Sequence, residues 1–145
     1  MVSRLLQVRT GRHPHELLIL IASTVLGLVG TVLPGEISSA IATVMDGWTV
    51  HAFWAGLAVF AGASLYGILK RGVEGLLIER VGLFGLAMFY LAYSVAVIDY
   101  AGWGGLVSVA LPLCFAIGNL GRIWQIRTDL RLVKSYLKDH PDERV

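Results

Sequence analysis

Cysteine is almost absent. Cys114 stands alone in 145 residues, so no intrachain disulfide can form. It lies inside an apolar run, where it reads as a small packing residue. Charge is scarce too: 15% of residues are Asp, Glu, Lys or Arg, against 56% hydrophobic residues and a mean hydropathy of +0.71. Soluble domains carry about 25% charged residues. Residues 17–33, 50–69, 81–98 and roughly 102–121 contain no Asp, Glu, Lys or Arg at all. Motifs are lacking as well. There is no P-loop, no G-x-S-x-G, no H-E-x-x-H and no CxxC. Ser94 and Ser108 have no histidine partner at their depth, so no hydrolase, and no enzyme of any kind, is expected. His13 and His15 lack a third ligand nearby and read as interfacial. No metal, cofactor or nucleic acid is expected as a partner.

What is present is length and sidedness. A hydrocarbon core of about 30 Å needs roughly 20 helical residues. Each uncharged run is long enough to span it, the first with little tilt to spare. Continuous apolar runs suit helices, not the alternating strands of a barrel. The twelve Lys and Arg residues all fall on one side. Arg4, Arg9 and Arg12 precede the first run; Lys70, Arg71 and Arg80 separate the second and third; Arg122, Arg127, Arg131, Lys134, Lys138 and Arg144 follow the last. Excess Lys and Arg mark cytoplasmic loops. The expected fold is therefore all-α: an integral membrane four-helix bundle with spans of about 17–33, 50–69, 81–98 and 102–124. Both termini are expected in the cytoplasm, in an inner (cytoplasmic) membrane. The first run follows a basic leader and precedes Ser38, Ala40 and Ala42, which mimics a signal peptide. Its length exceeds the usual signal core, so it reads as a retained span.

Residues 1–16 form a cytoplasmic lead-in, 17–126 the membrane domain, and 127–145 a basic tail. Pro14 and Glu16 suit a helix start. Pro34-Gly35-Glu36 is a stop, and 37–45 is too short to cross, so it reads as a short outer interfacial helix. Asp46 is a candidate cap for the second span. Trp48, Trp54, Trp103 and Trp124 are expected as interfacial anchors, with His51 at the same level as the first two. Residues 70–80 read as the cytoplasmic connection, with Glu79 and Arg80 at headgroup depth. Residues 99–105 read as a tight outer turn. Pro112 is expected to kink the fourth span. Beyond it, Ile123, Ile126, Leu130, Val133 and Leu137 form an apolar stripe beside the basic stripe Arg127, Arg131, Lys134 and Lys138. This cytoplasmic C-terminal amphipathic extension fits the anionic inner leaflet, and its 3-4 spacing also fits a coiled-coil seam.

No formal charge lies mid-span, which argues against ion-coupled transport. Asn119 is expected to hydrogen-bond to a neighbouring helix. Small residues recur on helix faces: Ser23, Gly27 and Thr31; Ala58 and Gly62; Ala63 and Gly67; Ala92 and Ala96. Such faces let helices approach closely, within one chain or between copies. A homo-oligomer in the lipid bilayer is expected.

Three features carry a resemblance: the basic lead followed by Pro and a short outer helix with Trp; the stretch Gly75-Leu76-Leu77-Ile78-Glu79-Arg80-Val81-Gly82-Leu83; and the exit Gln125-Ile126-Arg127-Thr128-Asp129-Leu130-Arg131. In these the chain resembles small four-span membrane proteins of actinobacterial phages, some of which are labelled holins. The resemblance implies a phage-type inner-membrane protein, holin-like, that oligomerises to permeabilise the host membrane in lysis. The alternative is a non-pore interaction protein serving superinfection exclusion, partner anchoring or a lysis accessory role. Its partner would be a phage or host membrane protein.

Overall fold

A computed structural model describes residues 14–70 and 72–139, apart from the side chains of Val133 and of residues 136–139. The expectations for Arg4, Arg9, Arg12, His13, Arg71 and Arg144 lie outside the described residues. So does that for the side chain of Lys138. Among the described residues every regular element is a helix.

Helix α1 is Pro14–Val32. Pro14 gives up no needed N–H in the first turn, and Glu16 faces the positive end of the helix dipole. Pro34 ends α1 by pushing Leu33 out of helical geometry, to φ −127° and ψ 62°. Two short helices follow, α2 at Pro34–Ile37 and α3 at Ser39–Val44. Ser38 caps α3, its Oγ accepting from the Ile41 N–H at 3.4 Å. Helix α4 is Trp48–Leu69. Gly47, not Asp46, is its N-cap, and no side chain caps it. Asp46 contributes only its backbone carbonyl, which accepts from the Thr49 N–H and hydroxyl.

Helix α5 is Val73–Ala101. The expected connection over 70–80 is thus corrected: α4 ends at Leu69 and α5 already starts at Val73. Gly72, at φ 103°, makes the reversal, and Glu74 in the first turn pairs with Lys70 at 2.6 Å. A 3-10 turn at Gly102–Gly105 leads into α6, Leu106–Asp139. Helix α6 runs through Pro112 and past Gly121 without interruption.

Three stretches are long and apolar enough to cross a membrane: Pro14–Val32, Trp48–Leu69 and Val73–Leu132. The third folds back at Gly102–Gly105. Val97 packs with Val109, and Arg122 reaches Glu79, so α5 and α6 run antiparallel. The other neighbours are antiparallel too. Gly27 of α1 meets Ala58 of α4, and Gly67 of α4 meets the Glu79 backbone of α5. These contacts need glycine: a Cβ on Gly27 would stand 2.5 Å from the Ala58 nitrogen. Leu20, Leu57, Ala61, Leu83 and Leu86 fill the space between helices. Ile41 of α3 closes the Gly102 end of this core, fully buried. The outward surface is apolar. Val32, Val107 and Ile117 lie 69–87% exposed. In water such surface is a liability. These are the helices of a membrane protein.

Trp54 corrects one expectation. It is 3% exposed, edge-on to Phe53 and seated in the space left by Gly30, so it is a core residue and not an interfacial anchor. Trp48, Trp103 and Trp124 are exposed.

Candidate functional site

Three charges that flank apolar runs come together at one end of the fold. Glu16 lies in the first turn of α1, Glu79 in α5, and Arg122 in α6. The Arg122 Nε–H donates to Glu79 Oε1 at 3.0 Å and lies 3.6 Å from Glu16 Oε1. The side chains of Glu79, Arg122 and Glu16 are 3%, 15% and 21% exposed. One guanidinium thus joins three helices between two carboxylates. A buried carboxylate persists only with such a partner, because desolvation disfavours the lone ion.

Phe115, Asn119, Arg122 and Ile126 recur at spacings of four, three and four, one face of α6. Ile126 is fully buried, and Phe115 stacks at a tilt on Tyr90 with ring centroids 5.6 Å apart. Asn119 lies between them, and its Nδ2 is buried with no partner. The hydrogen bond expected of Asn119 to a neighbouring helix is not made through this nitrogen. Further along, the Ser23 hydroxyl donates to the Ile19 carbonyl at 2.7 Å. Its one proton being used, Ser23 accepts from the Tyr90 hydroxyl at 2.5 Å. A line of polar groups therefore runs inward from the charged end: the Glu16–Arg122–Glu79 cluster, then Asn119, then Ser23 with Tyr90. Reading the sequence run by run missed this cluster. The available signal was that all three charges sit within two residues of run ends that share one side.

The small residues divide. Ser23, Gly27, Ala58, Gly67 and Ala96 are buried inside the fold. Thr31, Gly62 and Ala63 are half-buried, and Ala92 is exposed. The Thr31 hydroxyl donates to the Gly27 carbonyl, and His51 Nδ1 donates to the Thr31 carbonyl at 2.7 Å, tying the end of α1 to the start of α4. Helix α6 also leaves Gly118 and Gly121 facing open space. Arg127, Arg131 and Lys134 are exposed, while Ile123 and Ile126 of the adjacent stripe are buried. Between α4 and α5, the hydrogen bond and charge of Lys70 hold the Glu74 carboxyl below its ordinary 4.5. Glu74 in turn raises Lys70 above 10.5.

No family model, curated protein or solved structure matches the chain. Among the described residues no group of three His, Cys, Asp or Glu is placed to hold a metal. The cluster holds two carboxylates and a guanidinium, drawn from three helices. What such an arrangement does is fasten helices.

Proposed function

We propose that this is a four-span protein of the cytoplasmic membrane, with both termini in the cytoplasm. In this reading it is holin-like: it self-associates and permeabilises the membrane of a phage host, without enzymatic chemistry. The observation that carries the reading is the surface of α6. Its Gly118 and Gly121 are small residues that the chain's own fold leaves uncovered, amid exposed Leu111, Ile117 and Leu120. Small faces in lipid support close helix–helix association. The concentration of charge at one end supports the orientation. Inducible expression, followed by growth, dye entry and membrane potential, tests the proposal. Dye entry and loss of potential at a threshold level are expected. Cells that grow normally with the protein abundant in the membrane would refute it.

The arm of α6 favours a second reading. Helix α6 continues from Arg122 to Asp139, about 25 Å at 1.5 Å per residue, and presents Arg127, Arg131 and Lys134. Such an arm suits anchoring on the anionic leaflet or holding a partner protein at the membrane. Specific co-purification of a phage or host membrane protein, without permeability change, would decide for it.

A further inference from the structure

The two ends of α1 are held by different physics. Its far half is seated by steric fit: Gly27 admits the Ala58 backbone, and Gly30 admits the Trp54 ring. Separating these contacts means pulling apart close-packed surface. Nearer the charged end the fit to α4 is looser, since a Cβ on Gly62 would reach only Thr24, at 4.0 Å. There α1 is joined across to α5 and α6 by polar links: Glu16 to Arg122, and Tyr90 to Ser23. Leu20, 1% exposed, is the apolar residue those links cover. Arg122 does not depend on Glu16, because Glu79 holds it more closely, at 3.0 Å against 3.6 Å. Losing the Glu16 contact leaves the α5–α6 pair intact.

We propose that the charged end of α1 is a latch: Glu16 clasps Arg122, and its release lets the first turns of α1 swing away from α5 and α6. Gly27 and Gly30 keep the far end seated on α4 as the pivot. The motion opens a cleft to Asn119, Tyr90 and Glu79. The unpartnered Asn119 Nδ2 then gains water. This deepens the four-span reading and rests on it, but not on pore formation.

The test uses the full chain in lipid nanodiscs, with Cys114→Ser removing the native thiol. Leu20→Cys reports on α1, and Ala61→Cys, on a fully buried residue of α4, reports on the rest of the core. A water-soluble maleimide is the probe. Each thiol is expected to be protected when Glu16 is present. Glu16→Gln should speed labelling of Leu20→Cys by about two- to fivefold and leave Ala61→Cys unchanged. Leu17→Cys, one turn nearer the end, is a second reporter should Leu20→Cys fail to fold. Unchanged labelling of the α1 thiol overturns the latch. A parallel rise at Ala61→Cys overturns it too, because that is general loosening. Dye entry in cells is scored separately, so failure of the pore reading leaves this result standing.

Discussion

Arg122→Ala should be the most damaging single substitution in the charged cluster. It strips the Glu79 carboxylate, 3% exposed, of the guanidinium 3.0 Å away. Breaking a buried ion pair by removing one member costs up to about 3–5 kcal/mol. Whole-protein stabilities are about 5–15 kcal/mol, so this is roughly a fifth or more of the total. The Glu16 contact is longer, at 3.6 Å, and its carboxylate is 21% exposed. Glu16→Gln should therefore cost about 1 kcal/mol or less. The decisive comparison is the double substitution Glu79→Leu with Arg122→Met. It removes both buried charges and fills their volume with apolar atoms, so it should recover most of the loss. Reversible unfolding in mixed micelles, followed by far-UV circular dichroism, measures all four proteins. The reasoning fails if Arg122→Ala lies within about 0.5 kcal/mol of the parent, or if the double variant is no more stable than Arg122→Ala.

Gly27→Leu should destabilise by about 1–3 kcal/mol or more, since its Cβ alone would collide with the Ala58 backbone. Gly118→Leu, facing open space, should change monomer stability by less than about 0.5 kcal/mol while weakening self-association, read by cross-linking in membranes. Asn119→Leu removes a buried, unpartnered amide nitrogen and should stabilise by about 1 kcal/mol in the micelle assay; a loss of that size would contradict it. The Lys70–Glu74 pair sets a pH dependence. Glu74 titrates below 4.5, so its contribution is present above that value and fades as pH falls through the lowered one. The stability difference between the parent and Glu74→Gln should therefore be constant near neutral pH and vanish in acid. A difference that grows in acid would reverse the assigned sign.

The helices were legible because uncharged runs and backbone punctuation act locally. Pro34 and the glycines of the last turn stop helices wherever the chain folds. The start of α5 was not legible. Glu74, Glu79 and Arg80 look like a solvated connection, yet Glu74 suits a first helical turn and the buried Glu79 has a half-buried partner 43 residues away. Trp54 misled for a similar reason. An indole near a run end suits an interface, and only the pairing of Gly30 with α4 makes a pocket for it. Small residues announced close approach, but not the approaching helix. Gly27 and Gly67 meet partners within the chain, whereas Ala92 meets water or lipid. The charge cluster depended on register, and register follows from turn lengths that local patterns do not reveal. Function was least legible, because packing and permeation draw on the same residue types.

Helix α6 combines three features. It carries the uncovered Gly118 and Gly121, the guanidinium that joins three helices, and the basic arm, all on one unbroken rod. Arg127 lies only five residues beyond Arg122, about 7.5 Å along the axis. A helix transmits rotation over that distance, because each turn is hydrogen-bonded to the next. Whatever engages the arm, leaflet or partner, therefore acts on the same body that presents Arg122 to Glu16. Under the proposed self-association, contact through the glycine face would bear on that body as well. The Glu79 contact resists such movement, since it is the shorter and more deeply buried pair. The Glu16 contact is the one that can yield first. In a fold sealed by close-packed glycines, the cluster is thus the element whose two links differ in strength, and the weaker link lies on α1.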